Sequence, residues 1–168
     1  MKKFDLTTPR LSLTPLAASD HASLHALMTS PGVRRFLWDD RFISRDETSE
    51  VLARNAELFS TRGFGVWGVR EHSSHELLGF GGFWYFRNPP ELELMYGVSD
   101  AHAGRGLATE IAREVMHYAV IELGWRSMRA STDYGNVASS RVLETVGFRL
   151  ERRAEVEGLD TLFYVWNV

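Results

Sequence analysis

The hydrophobic period of this chain changes on either side of Gly104, and that change constrains the fold more than any other feature. Leu92, Leu94, Tyr96 and Val98 alternate with Glu91, Glu93, Met95 and Gly97, the period of a strand with one apolar face. Between Gly104 and Gly124, Leu107, Ile111, Val115, Ala119 and Leu123 recur at every fourth position, the period of an amphipathic helix. A further strand is expected at Trp125–Thr132. The long helix between the two strands makes a parallel crossover available to them.

The remaining segments fill in an α/β order. Leu11 and Leu13 alternate with Ser12 and Thr14 in a half-buried strand that Pro15 ends. Asp20 precedes a short helix carrying Ala22, Leu24, Leu27 and Met28, and Pro31-Gly32 is expected to close it. A second helix is expected from about Arg45 to Ser60, with Leu52, Ala56 and Phe59 on one face. Phe64–Arg70 and Glu76–Phe86 form a hairpin across the polar run Glu71–His75, and Asn88-Pro89-Pro90 makes the next turn. Asn136 suits an N-cap, Val142, Leu143 and Val146 give the helix behind it an apolar face, and Gly147 is its stop. Two strands follow, Phe148–Val156 and Leu159–Val168, turning near Gly158. In the last pair, Arg149, Arg152 and Arg153 interleave with Glu151 and Glu155, as on a solvated surface of ion pairs.

At 168 residues, with no linker or repeat, one domain spanning 1–168 is expected. The net charge of −3 gives no broad basic surface for nucleic acid. The absence of cysteine excludes disulfides, thiolate metal sites and cysteine nucleophiles. No apolar run approaches the ~18 residues that span a bilayer, and Met1–Thr8 lacks the apolar core of a signal peptide. A cytoplasmic protein with no membrane partner is expected. His21 and His25 have a metal-binding spacing but no apparent third ligand, so no metal is expected; His72 and His75 belong to a surface turn.

Two glycine motifs compete for attention. Gly63-Phe64-Gly65-Val66-Trp67-Gly68 matches the dinucleotide pattern G-x-G-x-x-G, but it follows a helix and runs into a strand, the reverse of the context that pattern needs. Close packing in a strand explains it better. Gly104-Arg105-Gly106-Leu107-Ala108-Thr109 follows a strand and opens a helix. Glycine lets a ligand approach the backbone, and unpaired N–H groups at a helix start favour phosphate, with Arg105 adding a cation.

This second stretch resembles motif A of the Gcn5-related N-acetyltransferases, the GNAT superfamily. The family pattern, Gln/Arg-x-x-Gly-x-Gly/Ala, maps onto Ala103 to Ala108, with Ala103 departing at the first position. Two further stretches resemble the RimJ/RimL-like ribosomal-protein N-terminal acetyltransferase group. Thr8-Pro9-Arg10-Leu11-Ser12-Leu13-Thr14-Pro15-Leu16 is similar to that group's opening, with Thr14 in place of an arginine. Asn136 to Phe148 is similar to its motif B. With the helix start Gly104–Glu110, three ordered matches span nearly the whole chain.

The resemblance implies a mixed, mostly antiparallel central sheet of about seven strands with flanking helices. It implies acetyl transfer from acetyl-coenzyme A to an amine, either a protein N-terminus or a small molecule. Backbone groups of Tyr96 and Val98 would pair with the pantetheine arm. Those of Ala103, Gly104, Arg105, Gly106, Leu107, Ala108 and Thr109 would take the pyrophosphate, and Asn136 would touch the arm. Glu93 is the first candidate for general base, with Glu91 second; the other reading of both is the polar face of a strand. Ser139 would serve the leaving thiolate, or be an ordinary cap, and Tyr134 is a fallback donor. Leu143 stands near the point where many members carry a tyrosine. Met95 and Gly97 replace a frequent glycine and a frequent large aromatic, so the acceptor pocket has its own shape. Trp38 and Trp84-Tyr85-Phe86 are expected in the core or the pocket wall. A coenzyme A-binding module without chemistry is the alternative from another class, a nicotinamide enzyme built on Gly63–Gly68 a third, and a homodimer stays open.

Overall fold

The computed structural model describes residues 3–168. Strands β1 (Leu6–Thr7) and β2 (Leu11–Pro15) precede helices α1 (His21–Thr29), α2 (Pro31–Leu37) and α3 (Arg45–Arg62). Then come β3 (Val66–Glu71), β4 (Gly79–Phe86), β5 (Glu91–Val98), α4 (Leu107–Ile121), β6 (Ser127–Asp133), α5 (Val137–Thr145), β7 (Arg149–Val156) and β8 (Leu159–Asn167). The α/β class is as expected. One helix was hidden: Pro31 does not close α1 but occupies the first turn of α2, where its missing N–H costs nothing. The long helix begins at Leu107, not Gly104, because Gly104 and Gly106 both take positive φ, +75° and +73°.

Local chemistry sets the other helix ends. Ser44 and Glu47 form a reciprocal capping box at the start of α3, with bonds of 3.1 and 2.7 Å. Gly63 closes the same helix at φ +75°. The Oδ1 of Asn136 accepts the Ser139 N–H at 3.2 Å, so the expected N-cap is present.

The strands form two sheets in place of the single sheet of about seven. One runs β1-β2-β3-β4-β5 and the other β6-β8-β7, with every pairing antiparallel. The division falls between β5 and β6. These strands lie side by side but exchange no ladder, so the crossover through α4 ends in a gap.

The large sheet is covered on both faces. Trp67, Val69, Phe83 and Leu94 pack with Ile111, Val115 and Ala119 of α4 in one core. Val66 and Phe80 pack with Leu24, Leu27, Met28 and Leu52 of α1 and α3 in the other. Glycine allows the close fit: a Cβ at Gly81 would lie 2.2 Å from Ile111 Cγ2, and one at Gly97 would lie 2.4 Å from the Phe80 ring. Phe80 thus fills the space that an aromatic residue at 97 would need. Gly65 and Gly68 are similarly crowded, by Asn55 and Phe59 and by Leu16 and Leu77, so Gly63–Gly68 is a packing motif and not a nucleotide cradle.

The rings of His21 and His25 bond the Arg45 carbonyl and the Thr48 hydroxyl, at 2.9 and 2.8 Å. On the outer strand β7, Arg152 lies over Phe163, while Arg153 pairs with Asp160 at 2.5 Å. No helix among the described residues is long and apolar enough to cross a membrane.

Candidate active site

The ladder register determines which backbone groups face the gap. Ser99 N–H donates to Leu78 O at 2.8 Å, and Gly79 stands opposite Val98. In an antiparallel pair the bonded positions alternate. Gly97, Met95 and Glu93 therefore bond to β4, and the N–H and C=O groups of Val98, Tyr96 and Leu94 project toward β6. The two strand positions expected to meet a pantetheine arm are those that face the gap.

The glycine loop lies beyond the end of β5. The backbone N–H groups of Gly106 through Thr109 donate to no described residue. Two left-handed glycines beside a helix N-terminus make a concave array of donors suited to an anion. Leu107 is different from its neighbours, because its side chain is buried in the core. Ala103 is exposed, its N–H turned to Asp100 O at 3.3 Å. Arg105 is not a free cation: its guanidinium meets Glu71 at 2.7 Å.

Residues far away in sequence hold this loop. Glu110 accepts from Thr8 Oγ1 at 2.5 Å and from Arg10 Nε at 2.6 Å, while Arg10 Nη1 donates to Arg105 O at 2.9 Å. Burial pushes the Glu110 carboxyl up, but the Thr8 and Arg10 hydrogen bonds and the Arg10 charge outweigh it and hold the group below its ordinary value. The opening and helix-start segments thus meet in space, a pairing that neither stretch reveals alone.

A cavity of about 490 Å³ runs through the gap, lined by β5 from Glu93 to Val98, β6 from Ala130 to Asp133, and Asn136 and Ser139 of α5. Ala108 reaches it from α4, whereas Thr109, half-buried, is not part of its lining. Glu93 and Tyr96 enter from opposite faces of β5, since side chains alternate along a strand. Tyr96 packs with the α4 core and Met95 with the α1–α3 core.

Glu93 is 3 % exposed, so it is no solvated strand carboxylate. Its Oε1 accepts from Arg87 Nη1, and its Oε2 accepts from Ser131 Oγ at 2.7 Å. Arg87 Nη2 also donates to Ser131 Oγ, which closes a three-residue ring of hydrogen bonds. A buried carboxylate needs such a counter-charge. Sequence reasoning missed Arg87 and Ser131; only the hairpin and the approach of β6 bring them to Glu93. Glu91 is exposed, 3.5 Å from Arg87.

Tyr96 Oη lies 2.9 Å from Ser139 O and 3.0 Å from Ser139 Oγ. Burial pushes the Tyr96 phenol well above its ordinary value, only partly offset by the Ser139 bond. Tyr134 is 52 % exposed, under the Arg153 guanidinium and outside the cavity lining. Asp39, Asp133 and Glu157 also line the cavity. Desolvation and the charge of Asp39 push the Asp133 carboxyl up.

The sequence profile of the Acetyltransferase (GNAT) domain matches residues 10–149 of the chain. The chain belongs to the GNAT acetyltransferases. The uncharacterized N-acetyltransferase YoaA of Bacillus subtilis (strain 168) is 26 % identical over 147 residues, covering 87 % of this chain and 83 % of YoaA. The crystal structure of an acetyltransferase from Agrobacterium tumefaciens str. C58 superposes with a TM-score of 0.83 at 25 % identity, covering 98 % of this chain and 94 % of that one. RimL, a ribosomal L7/L12 α-N-protein acetyltransferase in complex with coenzyme A, shares the fold at a TM-score of 0.81 and 19 % identity, with 97 % of each chain covered. This GNAT chain is an N-acetyltransferase.

Proposed function

We propose that this GNAT enzyme transfers the acetyl group of acetyl-coenzyme A to a primary amine, on a protein N-terminus or a small molecule. One observation carries the reading: a single cavity passes through the β5–β6 gap and is reached by Glu93 from one face of β5 and Ser139 from the other. The open N–H groups of Gly106–Thr109, with the glycine turn before them, fit a pyrophosphate, and the backbone of Tyr96 and Val98 fits an amide-bearing arm. Asn136, with Oδ1 engaged at the cap, keeps its amide N–H groups for that arm.

Acetyl-coenzyme A supplies the activated acetyl group. Glu93, steadied by Arg87 and Ser131, takes the proton of the attacking amine through water. As the N–C bond forms and the C–S bond breaks, Ser139 gives its hydroxyl proton to sulfur and regains one from cavity water. An amine that arrives as an ammonium sheds one proton to water before it attacks; the second, lost as the N–C bond forms, balances the proton gained at sulfur. Asp39, Asp133 and Glu157 give the acceptor end a negative field that draws in a cationic amine.

The test is thiol release from acetyl-coenzyme A over a panel of peptides, polyamines and other small amines, beside calorimetric binding. Turnover with at least one amine is expected, with Glu93→Gln lowering kcat by about 100-fold or more and leaving acetyl-coenzyme A affinity within a few fold. Failure of the wild type either to bind or to turn over acetyl-coenzyme A sinks the proposal. Binding without turnover would leave a coenzyme A-binding module.

A further inference from the structure

We infer that Tyr96 is a positioning residue whose hydroxyl sets the direction of the Ser139 proton; the inference rests on the reading of Ser139 as the group that serves the departing sulfur. Its starting point is a contrast within the chain. Serine and threonine hydroxyls on helices commonly donate back to a carbonyl one turn earlier. Thr29, Ser49, Thr61 and Thr145 do so here, at 2.6 to 3.2 Å. Ser139 sits too close to the start of α5 to have such a helical carbonyl behind it. Among the described residues, its hydroxyl has Tyr96 Oη as hydrogen-bond partner, at 3.0 Å.

Each of these hydroxyls carries one proton, and that limits the arrangements. If Tyr96 donates to Ser139 O at 2.9 Å, its oxygen accepts the Ser139 proton, which is then held by the phenol and not offered to a bound group. If Tyr96 donates to Ser139 Oγ, the Ser139 proton is released toward the cavity. A small rotation of the phenol proton exchanges the two. In the second state Tyr96 also stabilises the serine oxygen as it gives up its proton. Burial keeps the phenol protonated, so Tyr96 remains a donor throughout the neutral pH range. Tyr96 needs no contact with substrate to do this.

The test compares Tyr96→Phe, Ser139→Ala and the double variant by steady-state kinetics and acetyl-coenzyme A calorimetry. Phenylalanine keeps the ring, so the packing of β5 is retained, and the melting temperature reports whether it is. The expected result is a fall in kcat of about tenfold or more for Tyr96→Phe, with KM and Kd for acetyl-coenzyme A within about threefold. The double variant is expected to be no worse than Ser139→Ala alone, since one residue acts through the other. Tyr96→Phe with wild-type kcat, losses that multiply in the double variant, or a loss confined to KM each overturn the inference. An inactive Ser139→Ala beside a fully active Tyr96→Phe defeats this inference alone, whereas a wild-type kcat for Ser139→Ala defeats the Ser139 reading beneath it.

Discussion

Asp133 and Glu110 are carboxylates whose environments push them in opposite directions, and stability should follow each with opposite sign. Asp133 is raised from 3.8 by desolvation and then by the charge of Asp39. Its folded form holds the proton more tightly, so its contribution is full below about pH 3.8 and is lost as pH rises through the raised value. Asp133→Asn should therefore raise the melting temperature at pH 7, by well under about 1 kcal/mol because water screens a half-exposed group. The gain should vanish in acid. Glu110 is lowered from 4.5, so its contribution is present above that value and lost as pH falls through the depressed one. Glu110→Gln should cost about 1–2 kcal/mol at pH 7, with the gap to wild type closing below about pH 4.5. Thermal unfolding of both variants across that range checks the two signs together.

Elements are held to one another by a few buried polar groups. Asn55, on α3, donates from Nδ2 to Leu16 O and Val66 O at 3.1 and 3.0 Å, and accepts the Val66 N–H at 2.7 Å. Leu16 O and Val66 N–H depend on Asn55, whereas Val66 O also accepts the Leu16 N–H at 3.1 Å. Asn55→Ala should cost about 1–3 kcal/mol for each group left unpaired, read as a lower denaturant midpoint. The glycine loop is an element of another kind. A Cβ at Gly104 would meet nothing within 4 Å, so Gly104→Ala tests the +75° backbone alone. A left-handed non-glycine residue costs about 1–2 kcal/mol. The loop should relax from its concave shape, and calorimetry should record acetyl-coenzyme A affinity about tenfold weaker.

At the scale of the molecule, the gap joins sheet, loop and helices into one ligand-linked structure. The three-stranded sheet meets the five-stranded one across an unladdered seam, so a ligand bridging β5 and β6 should bind the folded chain alone. Acetyl-coenzyme A at about 100 times its Kd should add about 2.7 kcal/mol, a rise of roughly 5–10 °C in melting temperature for a chain of this length. NADH should give none, because Gly63–Gly68 is filled by neighbouring side chains. Differential scanning fluorimetry with both ligands reads the two outcomes in one experiment.

Much of this protein was already determined by its sequence, because the signals were local. A period of two at Glu91–Val98, a period of four through α4, the Asn136 cap and the stop at Gly147 each depend on neighbours a turn or a strand away. The tertiary structure decided whatever required distant segments to meet. Pro31 was expected as a stop, and it is the start of a helix, α2, that packs on α1. The polar face assigned to Glu93 turned out to be buried, because Arg87 and Ser131 arrive from another turn and another sheet. Arg10 reaches Glu110 across the fold, and Tyr96 reaches Ser139 from across the gap. Hydrophobic period and capping act over a few residues and leave a pattern in the chain, whereas charge pairing and hydroxyl orientation depend on side chains that only the folded backbone brings within 3 Å of one another.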